Sequence, residues 1–271
     1  MYRESSRLVV RTLALEFDDL PKSFDGYRII FASDFHVRRI GPYERRVLDT
    51  LGALHGDLLI LGGDFPDHRK KSADAAMAFV DEIGNLAPNF RDGIVAVRGN
   101  HDSPAMRKHL KHHGVIRYLS GRVAVVERGG ATIALAGARR WPKRKDRDRL
   151  GRSLRRLAAS MPADAGLQIL VAHWPDYFPA ARNERFDLVL AGDTHGGQVR
   201  LPLIGAIIRK TPMPQRYAYG LAREGRTTLY TTSGVGTRGI RLRFLCPPEI
   251  VALELHARDS AIRSEDAAST G

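Results

Sequence analysis

Five times along the chain a short apolar run ends in a cluster of Asp, His or Asn. Tyr27–Ser33 leads into Asp34-Phe35-His36, Leu58–Gly62 into Gly63-Asp64, and Ile94–Val97 into Gly99-Asn100-His101-Asp102. Ile169–Ala172 leads into His173, and Leu188–Ala191 into Gly192-Asp193-Thr194-His195. Runs of this length without helical period predict buried strands of a largely parallel sheet. In such sheets ligands gather at the carboxyl ends of the strands. Five strands therefore bring carboxylates, imidazoles and one amide to a single rim, the donor set of a two-metal hydrolytic site.

Between the early runs the pattern turns helical. Tyr43–Leu54 places Val47, Leu48, Leu51 and Leu54 on one face, and Ala73–Leu86 does the same with Ala76, Met77, Phe79, Val80 and Ile83. Pro104–His113 predicts a third helix with proline at a permitted early position, and Asn100 is one reading of its cap. Strand, helix, strand, helix, strand is a β-α-β crossover series. Residues 7–17 alternate as an edge strand does. After residue 114 the rhythm changes. Val123–Glu127 and Thr132–Ala136 flank Gly129-Gly130 as a hairpin, and a helix is expected near Arg147–Ala159. Short strands are predicted at Val199–Leu201, Tyr217–Tyr219, Thr227–Thr231 and Glu249–Leu255. Two mixed sheets packed face to face with helices outside, a four-layer α/β/β/α sandwich, accommodate both halves. The pattern predicts one domain over residues 1–256 and a disordered, small and polar tail over 257–271.

The 271 residues include 43 Lys or Arg against 30 Asp or Glu, a formal net charge of +13. That field favours anionic partners, either a phosphoester substrate or an anionic membrane surface. The one cysteine, Cys246, excludes an internal disulfide framework; amid Phe244, Leu245 and Pro247-Pro248 it reads as a buried structural thiol. No apolar stretch approaches the ~20 residues of a membrane-spanning helix, and Met1–Leu20 is not patterned as a secretory signal. The expected location is cytoplasmic, or peripheral to the inner face of a membrane.

Singly, each polar cluster is ambiguous: Asp64 after Gly62-Gly63 also fits a turn, and a lone His at a strand end is commonly structural. In this order, and always after a strand, they resemble the signature of the calcineurin-like metallophosphoesterases: D-x-H, G-D, G-N-H-D, H and G-H-x-H. Finer stretches resemble a subgroup of bacterial phosphodiesterases typified by YkuE and YaeI. These are Leu20-Pro21 with Phe24-Asp25-Gly26, His173-Trp174-Pro175-Asp176, Gly196-Gly197-Gln198 and Pro247-Pro248-Glu249. The resemblance implies two divalent ions bridged by a carboxylate and a hydroxide. It implies that Asp34, His36, Asp64 and His195 hold the first, and that Asp64 bridges to a second held also by Asn100 and His173. His101 then stabilises the transferring phosphoryl group or protonates the leaving oxygen, oriented by Asp102. The implied activity is hydrolysis of a phosphodiester or pyrophosphate, with a nucleotide-lipid such as UDP-2,3-diacylglucosamine among the substrates of proteins resembling this subgroup.

The chain departs from that pattern at position 193, where Asp stands in place of the family's second-metal His. Either Asp193 coordinates, shifting preference toward Mn²⁺ or Fe²⁺ over Zn²⁺, or it falls short and the second metal binds weakly. The latter leaves a different function open, a weakly active or non-catalytic protein docking on membrane or cell wall. Arg139-Arg140-Trp141 follow a predicted strand and are expected at the rim, facing extra negative charge on a substrate. The competing reading of Arg139–Arg156, with ten Lys or Arg against two Asp, is a solvated helix face. Few aromatics interleave there, so no specific nucleic-acid partner is expected. Leu201–Ile208 reads more readily as a core strand than as a lipid-contacting loop. Gly234–Gly239 reads as a plain turn rather than a phosphate cradle.

Overall fold

The computed structural model describes residues 4–68, 71–139, 147–208, 211–239 and 241–258. The first half alternates strand and helix: β1 (Val9–Phe17), β2 (Tyr27–Ala32), α1 (Pro42–Ala53), β3 (Leu58–Leu61), α2 (Ala73–Gly84), β4 (Ile94–Ala96), α3 (Pro104–His112) and β5 (Ile116–Tyr118). The second half adds β6 (Val123–Arg128), β7 (Ala131–Gly137), α4 (Arg147–Ala159), β8 (Leu167–Val171), α5 (Phe178–Arg182) and β9 (Leu188–Ala191). It closes with the two-residue strands β10 (Arg200–Leu201) and β11 (Gly205–Ala206), then β12 (Gly220–Glu224), β13 (Thr227–Thr231) and β14 (Glu249–Ala257).

Two six-stranded sheets result, ordered β1-β14-β2-β3-β4-β5 and β12-β13-β9-β8-β7-β6. In each, the central strands run parallel and the hairpin partner or returning strand runs antiparallel, so both sheets are mixed. The central strands are apolar on both faces because both faces are covered. Ile29, Phe31, Leu58 and Ile60 share one core with Ile169 and Leu190 of the other sheet. Their alternates Ile30, Ala32, Leu59 and Leu61 pack beneath Leu51 of α1, Phe79 of α2 and Leu110 of α3. On the far side Leu154 of α4 and Phe178 of α5 cover Leu170 and Val189. Helix, sheet, sheet, helix is the expected four-layer sandwich.

Local signals differ from expectation in four places. Ser103, not Asn100, caps α3: its Oγ accepts from Met106 N at 3.1 Å. Tyr217 ends a single 3₁₀ turn, and the strand predicted at 217–219 lies instead at Gly220–Glu224, an edge strand whose exposed alternation gives little apolar signal. Leu201–Ile208 is not core: Leu203, Ile204, Ile207 and Ile208 are exposed around the β10–β11 hairpin. Finally, β14 runs to Ala257, paired with Phe17, one residue into the expected tail; residues 259–271 lie outside the described residues.

Candidate metal centre

The carboxyl ends of β2, β3 and β4 in one sheet meet those of β8 and β9 in the other, and their loops interlock through backbone hydrogen bonds. Asp34 N donates to Gly63 O at 2.9 Å, His36 N to Asp64 O at 3.0 Å, and Gly192 N to His173 O at 3.0 Å. Asp193 N reaches across the sheets to both carboxylate oxygens of Asp34, at 3.1 Å each. Such approach needs residues without side chains: a Cβ on Gly192 would collide with the Asp34 carboxylate, and one on Gly99 with that of Asp64. Asp34, His36, Asp64, Asp193 and His195 all adopt left-handed backbone, with φ of 57°, 47°, 57°, 66° and 53°. Each non-glycine residue there costs about 1–2 kcal/mol, a strain that concentrates at functional sites.

The side chains converge on one small volume. His36 Nε2 lies 3.0 Å from His195 Nε2, His195 Nε2 lies 3.5 Å from Asp34 Oδ1, and His36 Nε2 lies 3.8 Å from Asp64 Oδ2. Beside them, His173 Nε2 lies 3.3 Å from Asp64 Oδ2, 3.7 Å from Asp193 Oδ1 and 3.9 Å from Asp34 Oδ1. The His173 ring is fixed by Nδ1–H, which donates to Gly62 O at 2.9 Å and leaves Nε2 to face the carboxylates. Three sets here thus have ligand atoms within 4.8 Å of one another, Asp34 with His36 and His195, Asp34 with Asp64 and His173, and His36 with Asp64 and His101. Asn100 follows on the β4–α3 loop, beside His101, whose backbone N–H donates to Asp64 Oδ1 at 2.6 Å.

Burial makes this arrangement costly without cations. Burial, aided by the charges of Asp64 and Asp193, pushes the Asp34 carboxyl up to about 7. Burial alone would also raise Asp64, but His173, His36 and His101 outweigh it and hold that carboxyl below its ordinary range. Burial would lower His173, yet the three carboxylates around it raise it well above an ordinary imidazole. His36, by contrast, is driven by burial down to about 3 and stays neutral. Clustered buried carboxylates facing imidazole nitrogens form a donor set that divalent first-row ions suit.

Comparison with known proteins agrees. Residues 27–197, the span holding every one of these motifs, match the calcineurin-like phosphoesterase family. The chain belongs to that family. The phosphodiesterase YaeI of Escherichia coli is 32% identical over 235 residues, 84% of this chain and 82% of that protein. The uncharacterized metallophosphoesterase YkuE of Bacillus subtilis is 30% identical over 243 residues, 87% and 81% of the two chains. This phosphoesterase is accordingly a hydrolase that uses divalent metal, with the residues of these sets as its candidate ligands.

One expected role changes. Asp102 does not orient His101: among the described residues no hydrogen bond joins it to that ring, and its carboxylate instead accepts the backbone N–H groups of Gly99, Phe65 and Asp64 at 2.7, 2.9 and 3.2 Å. Burial and the nearby Asp64 charge raise its carboxyl to about 6. Asp102 is a clamp between the β3 and β4 loops. The partner that orients His101 is the carbonyl of Asp67, which accepts from Nδ1 at 2.9 Å. The Asp67 carboxylate in turn pairs with Arg38.

At the rim, Arg139 is exposed and its carbonyl accepts from Tyr177 Oη; Arg140 and Trp141 lie outside the described residues. Gly234 and its neighbours form a turn packed on the centre, with Val235 N donating to Ser33 O at 2.9 Å and Gly236 N to Asp34 O at 2.7 Å. Behind that turn lies Arg243, a fully buried guanidinium donating to the carbonyls of Ser233, Gly234, Gly236 and Cys246. Cys246 is buried as expected, and burial raises its thiol.

Proposed function

We propose that this phosphoesterase hydrolyses phosphodiesters or pyrophosphates at a two-metal centre. Asp34, His36, Asp64 and His195 would hold one ion; Asp64, Asn100, His173 and Asp193 would hold the other. What supports this is Asp193 Oδ1 lying 3.7 Å from His173 Nε2, where a carboxylate would serve in place of the family's imidazole. The added oxygen ligand favours Mn²⁺ or Fe²⁺, with Zn²⁺ the weaker choice. When bound, such a pair polarises the phosphoryl oxygens, lowers the pKa of a shared water and clamps the attacking and departing oxygens.

The chain's own groups supply orientation and protons. The Asp67 carbonyl holds His101 by Nδ1–H, so Nε2 is the atom presented to the transferring phosphoryl group or to the leaving oxygen. Asp102 keeps the loops carrying Asp64 and Asn100 in register by accepting from both. Metal analysis combined with an Mn²⁺-supplemented assay on an aryl phosphodiester tests the reading. Two equivalents of metal and metal-dependent turnover are expected. A chain that binds no metal and turns nothing over with Mn²⁺, Fe²⁺ or Zn²⁺ returns the question to a non-catalytic binding protein.

The substrate proposed is lipid-linked, with UDP-2,3-diacylglucosamine as one example, reached by peripheral contact with an anionic membrane from the cytoplasmic side. What supports this is the hairpin following His195, which presents Leu203, Ile204, Ile207 and Ile208 at 108%, 64%, 57% and 68% exposure. Apolar tips on a cationic protein suit an interfacial contact. No helix among the described residues is long and apolar enough to cross a membrane. Co-sedimentation with anionic vesicles, reduced when Leu203, Ile204 and Ile207 become Ser, is the expected outcome; unchanged partitioning excludes the contact.

A further inference from the structure

A cleft of about 1780 Å³ lies between α3 and α4. Arg98 and Tyr177 line it, and they lie close in sequence to the candidate ligands Asn100 and His173, so the cleft begins beside the metal centre. From there α3 contributes Arg107, Lys108 and Lys111, and α4 contributes Arg152 and Arg156. Arg122 and Arg139 also line it, and the Arg139 side chain lies over Gly121. No Asp or Glu stands among these described lining residues.

Several basic side chains elsewhere on this protein are paired, such as Arg155 with Glu184, and Arg128 with both Asp57 and Asp92. Among the described residues, no ion pair involves Arg107, Lys108, Lys111, Arg152 or Arg156. Arg107 Nε is also buried without a hydrogen bond. Concentrating like charges in a concave space without counter-charge costs electrostatic energy, and a bound polyanion removes that cost. Cations at i and i+4 stand about 6 Å apart along a helix. Two such rows facing one another suit several anionic groups in series rather than one.

We propose that the cleft binds an oligophosphate chain, the polyphosphate of a nucleotide or inorganic polyphosphate, running from the rim between α3 and α4. Its concavity excludes a flat bilayer. Its described aromatic linings are His112, Tyr118 and Tyr177, and the Tyr177 hydroxyl is tied to the Arg139 carbonyl, few rings for stacking bases beside so many cations. The binding needs no turnover and stands apart from the proposed hydrolysis.

Isothermal titration of the full chain with inorganic polyphosphate, tripolyphosphate, ATP and an oligothymidylate of matched charge tests it. Polyphosphate is expected to bind, and the double reversal Arg152→Glu with Arg156→Glu to weaken it by at least about tenfold. The pair Arg152→Lys with Arg156→Lys, which keeps the charge, should retain most of the affinity. A control of equal net charge, Arg45→Glu with Arg223→Glu on exposed surface elsewhere, should change it little. ATP binding as tightly as tripolyphosphate assigns the site to nucleotides, and tripolyphosphate binding far better assigns it to the inorganic chain; either supports the proposal. Equal losses in the cleft and control variants, absence of polyphosphate binding, or tighter binding of the oligothymidylate would overturn it. An Asp64→Asn chain that has lost hydrolysis yet binds polyphosphate separates this proposal from the catalytic one.

Discussion

The two halves of the proposed two-metal centre would reach a buried ligand set by different electrostatic routes. Around His36 and His195, two imidazoles face each other at 3.0 Å and His36 is kept neutral by burial. Around His173 a single imidazole faces Asp34, Asp64 and Asp193 within 3.9 Å, and their charge overrides its burial. Both proposed sets hold carboxylates, with Asp34 at 3.5 Å from His195 and Asp64 at 3.8 Å from His36; the first differs by its second imidazole, the second by the added Asp193. On the proposed assignment Asp193, 3.7 Å from His173, would add charge to the second half rather than simply delete a ligand. The two halves should differ in metal preference, in proton release and in their response to mutation, and both lie within reach of Asp34 and Asp64.

Removing the proposed bridging carboxylate should do the most damage. Asp64→Ala is expected to empty both halves and to reduce kcat/KM by on the order of a thousandfold or more, as loss of a principal catalytic group does. Metal analysis of the purified variant checks it; a chain still holding two equivalents would show that Asp64 bridges nothing. Next, Asp193→Ala should take the bound metal from two equivalents toward one and lower activity by about a hundredfold. Asp193→His should preserve or improve occupancy of the second half while shifting its preference toward Zn²⁺. Unchanged metal content and activity in Asp193→Ala would erase the distinction between the halves.

A third contrast separates chemistry from scaffolding within one short loop. His101→Ala should lower kcat by about 10²- to 10³-fold with metal content intact, the scale of losing general acid catalysis. Asp102→Ala should instead act on stability, because three backbone N–H groups lose a charged acceptor worth about 1.5 kcal/mol or more each. Thermal melting and steady-state kinetics on both variants tell them apart. A kinetic loss in Asp102→Ala at full stability and normal occupancy would restore a direct role for that carboxylate.

The strand ends are legible in the sequence because each apolar run stops at a residue that no buried strand tolerates without a partner. That logic places Asp34, His36, Asp64, Asn100, His173, Asp193 and His195 in order, and the two sheets follow from the change of rhythm near residue 114. What orients these side chains is not legible. Gly62 and Asp67 fix His173 and His101 through carbonyls, which every residue possesses, so nothing in the sequence marks them. Arg243 reads as one more surface cation in a basic chain, yet it is fully buried and anchors the turn against Asp34. Leu201–Ile208 fails in the opposite sense: apolar composition alone cannot tell a core strand from an exposed hairpin, since both are short runs. The basic stretch around Arg139–Arg156 becomes interpretable only once α3 supplies the facing row of cations.

The smallest expected effect is also the one that tests the electrostatic contrast most directly. Without metal, Asp34 holds a proton up to about pH 7, and His173 is raised well above its ordinary value, so both must release protons before cations bind. His36, lowered to about 3, has none to release near neutrality. The sign follows: metal affinity is greatest at alkaline pH and falls as pH drops through 7, by about tenfold per unit for each proton displaced. The fall should be steeper for the half containing His173, so lowering the pH from about 8 to about 6 should remove the second equivalent before the first. Calorimetric titration with Mn²⁺ in buffers of different ionisation enthalpy counts the protons released. Equal pH dependence of the two binding steps would mean that the carboxylates around His173 do not set its charge, and that the halves differ in geometry alone.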